Sequence, residues 1–245
     1  LRDYRGGGRS SARETAARVA GGAIAKLMLK ELGVNIQSGL CEVDGIKGDV
    51  QDFEYAKSSK MYALDPEKEA AQEAAILTAK ENHDSVGGVV LTTATGVPIG
   101  LGEPLYYKLD AVLADAMMGI NAAKAVEIGD GVASTHLKGS QNNDEITLEG
   151  FTSNHSGGML GGISNGDMIV VKTHFKPTPS IFQEQQTITT NNEEVKCNLK
   201  GRHDPCVAIR GAVVCEAMMA LTLADMALLN MGKKMDHLTT LYKDN

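Results

Sequence analysis

SARETAARVAGGAIAKLMLKEL (residues 11–32), then Gly33, then VNIQSGL (34–40), is the stretch from which the rest of the chain is read. Ser11 and Glu14 stand at capping-box spacing, which marks a helix start. Ala16, Val19, Ala20, Ala23, Ile24, Leu27 and Met28 recur at three- and four-residue steps. That is the pattern of a helix burying one face, and these residues are expected to form it. Gly33 sits where such a helix stops. Residues 34–40 then alternate like a strand.

Working outward, the same mixture continues. Asp65-Pro66 reads as an N-cap with proline at the first helical position and opens a helix to about His83. Residues 85–95 read as a strand. A third helix after Glu103-Pro104 places Leu109, Val112, Leu113, Ala116, Met117 and Ile120 on one side. Short strands are expected at 125–128 and 167–175, with a hairpin joining 187–190 to 194–199. A last long helix covers about 211–230, and 233–245 reads as a loosely held tail. Residues 129–166 are rich in Gly, Ser, Asn and Asp, and such a long irregular stretch tends to carry function. Helices and strands do not alternate strictly. The pattern therefore predicts an α+β fold with antiparallel sheets, in one domain across 1–245.

The chain of 245 residues carries 24 Lys and Arg against 31 Asp and Glu, a formal net charge of −7. That balance argues against sequence-independent nucleic-acid binding, which needs a cationic surplus. No apolar run reads as a membrane span. Residues 1–5 lack the apolar core of a signal peptide, and without an initiator Met the chain is expected to be a segment of a longer protein. Cys41, Cys197, Cys206 and Cys215 show no C-x-x-C spacing and read as free thiols in a reducing cytoplasm. The six histidines have no metal-ligand spacing, so no metal is expected.

Two polar loops each open into an Ala-rich apolar run. In RGGGRSSAR (5–13), three glycines let backbone approach a ligand, and Arg9 and Arg13 offer guanidinium forks for phosphate or carboxylate. A surface turn with paired arginines is the equally weighted alternative. In GRHDPC (201–206), Asp204 before Pro205 fits a helix cap, the reading its spacing favours. Arg202 and Asp204, two residues apart, would also project together in an extended loop, one to hold an anion and one to handle a proton. KPTPS (176–180) is a proline-stiffened strap that fixes Lys176, Thr178 and Ser180, or else an edge-strand terminator. Four glycines within 157–162 suggest that a ligand or another backbone packs closely there.

These loops, in this order, resemble chorismate synthase. The resemblance spans essentially the whole chain: RGGGRSSARETAARVAGGAIAK at 5–26, GLGEP at 100–104, VEIGDG at 126–131, KGSQNNDEI at 138–146, SNHSGGMLGGISNG at 153–166, KPTPSI at 176–181 and KGRHDPCVAIR at 200–210. It implies a cytoplasmic enzyme of the shikimate pathway. Such an enzyme converts 5-enolpyruvylshikimate-3-phosphate to chorismate and phosphate and requires reduced FMN. It further implies a homotetramer whose subunits are layered sandwiches, helices lying between antiparallel sheets.

Carried over residue by residue, the flavin site falls on Arg9, Ser10, Ser11, Asn121, Ala122, Gly161, Lys176, Pro177, Thr178, Pro179, Ser180 and Arg202. Ser11, Arg13 and Arg202 are implied substrate contacts. Asp204 matches the catalytic aspartate near the flavin N5. The family's Gly-Glu-Ser-His-Gly region has no match here, so this segment is expected not to turn over alone. A flavin reductase, or a flavin- or phosphate-binding module without lyase activity, is the alternative.

Overall fold

The structure, a computed structural model, describes residues 7–199, 201 and 203–243. Two 3-10 turns, Gly8–Ser10 and Ala12–Glu14, lead into α1 (Thr15–Glu31), then β1 (Asn35–Val43), β2 (Ile46–Lys47), α2 (Phe53–Ser58), α3 (Pro66–Glu81) and β3 (Gly88–Thr95). Next come α4 (Leu109–Met118), β4 (Ala123–Ile128), α5 (Gly139–Asn142), β5 (Ile146–Thr147), β6 (Gly150–Phe151), β7 (Met159–Leu160) and β8 (Ile163–Ser164). The chain finishes with β9 (Ile169–Phe175), the hairpin β10 (Gln185–Ile188) and β11 (Glu194–Cys197), α6 (Ala208–Met231) and α7 (Met235–Lys243). The long elements fall where the hydrophobic pattern put them. The two-residue strands inside 129–166 carry no periodicity that a sequence could reveal.

One antiparallel sheet runs in the order β2-β1-β3-β9-β4. Mixed helices on an antiparallel sheet are what the irregular alternation of elements predicts. In β9, Ile169, Val171, Thr173 and Phe175 are buried while the residues between them are half-buried, the period-2 signature of a sheet with one more protected face. β3 is buried at every position but its last. Its second face is covered by α2 and the segment after it, where Ala56 and Leu64 pack with Leu91. Asp65 holds that segment down. It caps α3 by accepting from Glu67 N at 2.9 Å, and it also accepts from Asp49 N at 2.8 Å.

α6 is apolar around most of its circumference because it lies in the middle, touching β1, β3, β9, α1 and α4. Among the described residues it is one helix long and apolar enough to cross a membrane, with a mean hydropathy of 1.8. This corrects the expectation that no run reaches that length. The helix is the core helix, and 56% of its most apolar window is buried inside the protein.

The packed face of α1 also differs from the expectation. Gly22, Ala25 and Leu29 are buried, whereas Ile24 is 72% and Leu27 68% exposed. A Cβ on Gly22 would sit 2.5 Å from Ala217 Cβ, so α1 and α6 meet backbone to backbone. Small residues permit that close approach, and they out-compete the larger apolar strip for the inner position. The Ser11–Glu14 capping box does not form. Ser11 Oγ accepts from Arg13 N, and Glu14 pairs instead with Arg18 one turn on, at 2.9 Å. Residues 235–243, read as a tail, form the short helix α7, none of whose residues is buried.

Candidate active site

The starts of α1 and α6 open onto one cavity of about 920 Å³. Ser11, Arg13, Asn121, Thr178 and Asp204, five residues nominated by sequence from four separate segments, line it together. Its size is that of an ordinary small-molecule site. The apolar part of the wall includes Phe175, Val213 and Val214.

Short backbone links hold the loops in place. Asn121 Nδ2 donates to Ser10 O at 3.4 Å, joining the first loop to the turn between α4 and β4. Lys176 N donates to Ala122 O at 3.0 Å, and Ser85 Oγ donates to Thr178 O at 2.7 Å. Val86 N donates to Pro205 O at 2.8 Å, tying the loop before α6 to the same connection. Phe182 stacks between His83 (ring centroids 6.2 Å apart, edge-on) and His203 (5.2 Å). The strap after β9 and the loop before α6 are thereby fixed against each other.

Asp204 is not a helix cap. α6 begins at Ala208, with Val207 as its N-cap and no side-chain cap. The Asp204 carboxylate turns instead to Arg210, Oδ2 to Nη1 2.8 Å, on the first turn of the helix. The intervening Pro205 and Cys206 carry the chain round before helical geometry begins, so the cap signal is read three residues too early. Asp204 is left half-buried on the cavity wall beside a cation.

Two polar atoms buried in the residues of this wall, Thr178 Oγ1 and His203 Nε2, have no hydrogen-bond partner among the described residues. Buried polar groups are nearly always satisfied, so orphans that line a cavity are positions a ligand's polar atoms can occupy. Together with Arg13 and the amide ends of two helical segments, the wall suits a ligand that is anionic at one end. A flavin mononucleotide fits that description.

The remaining nominated residues are placed less centrally. Ser180 lines a smaller neighbouring cavity of about 280 Å³ that shares His203 and Asp204 with the first. Lys176, Pro177 and Pro179 are exposed on the strap, and Ser10 and Ala122 flank the main cavity without lining it. Gly161 is exposed at the β7–β8 turn, outside both cavities. Nearby glycines serve backbone crossings: a Cβ on Gly157 would lie 2.5 Å from Gly129 N, and one on Gly158 2.6 Å from Met168 O. Arg202 and the Arg9 side chain lie outside the described residues.

Sequence reasoning missed Arg210, Phe175 and Tyr62 as cavity walls. Arg210 was within reach, since it is the next cation after Asp204 on the following helix. Tyr62 carried no signal. The thiols are not nucleophiles of this site. Burial raises Cys215 to about 12, and burial, offset in part by Lys172, raises Cys41 to about 11.

Elsewhere, Asp144 pins the irregular 129–166 stretch. Its partial burial would raise its pKa, but hydrogen bonds from Ser156 N, Ser153 Oγ and His155 N outweigh that and hold it at about 2. His155 Nδ1 in turn lies 2.6 Å from Asp130 Oδ2.

Comparison with known proteins gives one consistent result. The family model described as chorismate synthase matches residues 1–228. The chorismate synthase of Sulfurovum sp. (strain NBC37-1) is 90% identical over 242 residues, covering 99% of this chain and 68% of that protein. The chorismate synthase of Helicobacter pylori (strain G27) is 59% identical over 251 aligned residues, covering 100% of this chain and 69% of that protein. A solved structure titled "Crystal Structure of Chorismate Synthase" superposes with a TM-score of 0.77 at 33% identity, over 96% of this chain and 69% of that one.

Proposed function

The chain belongs to the chorismate synthase family, and on that premise we propose that the cavity between α1 and α6 binds reduced FMN together with 5-enolpyruvylshikimate-3-phosphate. The family's enzymes are FMN-dependent carbon–oxygen lyases of the shikimate pathway, making chorismate by expelling phosphate. FMN, when bound, supplies electron density to a ring that is losing phosphate and takes it back as hydrogen departs, with no net redox change.

The chain's own residues divide the remaining work. Arg13 and Ser11 bind the anionic substrate at the entrance to α1, with Arg202 assigned to both ligands by resemblance. Guanidinium groups suit this because they present fixed paired donors to carboxylate and phosphate. Asn121 and Thr178 hold the cofactor, joined on grounds of resemblance by Arg9, Ser10, Ala122, Gly161, Lys176, Pro177, Pro179 and Ser180. Asp204 handles a proton at the flavin N5, and Arg210 keeps its carboxylate aimed. The apolar wall excludes water, so fixed charges act on the departing phosphate at low dielectric.

The observation that carries this reading is the pair of unpartnered atoms, Thr178 Oγ1 and His203 Nε2, in a cavity where five nominated residues meet. Titration with oxidised FMN tests it. Saturable binding is expected, weakened about tenfold in Thr178→Val, the scale of one lost hydrogen bond of roughly 1.4 kcal/mol. Equal binding by both proteins contradicts the assignment of Thr178.

The layered sandwich is assigned by resemblance, and the exposed strip of Ile24 and Leu27 on α1 supports it as a face that a further sheet would cover. A homotetramer is the assembly assigned, tested by light scattering. A reducing cytoplasm suits the four unpaired cysteines.

A further inference from the structure

We propose that Tyr62 is a cofactor-contacting wall of the cavity, its ring lying against the planar ring system of the bound flavin. The proposal rests on the reading that the cavity holds FMN.

Tyr62 has φ of 58°, in the left-handed region that side chains of its bulk rarely occupy. Three of the four other described non-glycine residues with positive φ have ordinary explanations. Asp44 and Asn192 sit in tight turns of hairpins, and His83 follows the end of α3. Ala122, the remaining one, stands next to Asn121 at the cavity edge.

The backbone around Tyr62 is clamped. Leu40 N donates to Tyr62 O at 2.7 Å, and Tyr62 N donates to Ser59 O at 3.4 Å. Ser59 Oγ accepts from Met61 N at 3.1 Å and Ala63 N at 3.0 Å, and donates to Glu69 Oε1 at 2.6 Å. Gly39 leaves the room: a Cβ there would lie 2.5 Å from Leu64 Cδ2 and 3.0 Å from Tyr62 O. The segment is thus pressed onto the edge of β1, and the strained residue is held rather than free to relax.

Packing does not repay that strain. Tyr62 is 38% exposed as a residue, and its hydrogen bonds among the described residues are made by its backbone. The residue instead lines the cavity that Val213, Val214 and Phe175 also line. Backbone strain that buys no burial is characteristic of ligand-contacting positions. Beside Phe175 in the apolar part of the cavity, the Tyr62 ring offers a further π-face to a flat aromatic ligand, whereas the polar groups Ser11, Arg13 and Thr178 offer none.

Three variants test the idea, each read by titration with oxidised FMN and by thermal unfolding of the unliganded protein. Tyr62→Gly and Tyr62→Ala both remove the ring, but only glycine releases the strain. The glycine variant is expected to melt about 2–4 °C above the alanine variant. Both are expected to bind FMN at least tenfold more weakly than the wild type, and Tyr62→Phe to stay within twofold of it.

Binding that follows melting temperature, weak in the alanine variant and normal in the glycine variant, overturns the proposal in favour of a structural role. A loss in Tyr62→Phe equal to that in Tyr62→Gly overturns the ring contact. Normal FMN binding by Tyr62→Gly, alongside weakened binding by Thr178→Val, defeats the proposal and leaves the cavity reading standing. A wild type that binds no FMN defeats both.

Discussion

The carboxylate of Asp204 lies 2.8 Å from the guanidinium of Arg210, across the loop that carries the chain into α6. Arg210 is 62% exposed at its side chain, so the pair adds little stability in solvent. Its effect is on position. Arg210→Met is expected to leave FMN affinity and melting temperature near wild type while lowering kcat about tenfold, the order of loss that a small misplacement of a reacting group produces. Steady-state kinetics beside an FMN titration check this, and an unchanged kcat removes Arg210 from the mechanism.

Arg13 lines the same cavity from the turn before α1. Arg13→Ala is expected to raise the substrate KM at least tenfold and to change the FMN Kd by less than about threefold, since one charged hydrogen bond contributes roughly 1.5–3 kcal/mol to the ligand it touches. Equal losses for both ligands would instead indicate a shared pocket or a disturbed fold.

Two neighbouring glycines on α1 should respond in opposite directions. A Cβ on Gly22 meets Ala217 Cβ at 2.5 Å and Ala217 Cα at 2.6 Å, backbone that cannot move cheaply. Gly22→Ala is expected to destabilise the protein by about 1–3 kcal/mol despite better helix propensity. A Cβ on Gly21 meets Leu221 Cδ2 at 3.6 Å, an ordinary contact. Gly21→Ala is expected to be neutral or to stabilise by up to about 1 kcal/mol. Denaturant unfolding of the two variants gives the comparison.

Asp144 titrates at about 2 in the folded protein against an ordinary value of 3.8. A lowered carboxylate pKa contributes stability above the unfolded value, and that contribution is lost as pH falls through the folded one. The irregular 129–166 stretch should therefore loosen between about pH 4 and pH 2. Hydrogen exchange at the His155 and Ser156 amides, which donate to this carboxylate, should accelerate over that window relative to base-catalysed expectation. In Asp144→Asn that pH dependence should vanish.

Long elements were legible in the sequence because apolar spacing is physical. α4 buries Leu109, Leu113 and Met117, which its periodicity named, α3 and α6 form where they were read, and β9 alternates as read. The packed face of α1 was not legible, because the chain offers one strip of large apolar residues and another of Gly22, Ala25 and Leu29. Periodicity cannot say that close backbone approach wins. The meeting of Ser11, Asn121, Thr178 and Asp204 in one cavity followed from the resemblance, since loops far apart in sequence share no spacing rule. The left-handed backbone of Tyr62 left no trace at all, because it is imposed by Gly39 and Ser59 from outside the residue.

The central claim is that these separated loops assemble one flavin- and substrate-binding site in which Asp204 handles a proton. Anaerobic turnover of the full-length protein with reduced FMN and 5-enolpyruvylshikimate-3-phosphate, followed by chorismate absorbance, tests it most directly. Asp204→Asn is expected to bind FMN as the wild type does and to lose at least about a hundredfold in kcat, the scale of general acid–base assistance. An Asp204→Asn protein that forms chorismate at the wild-type rate would contradict the account.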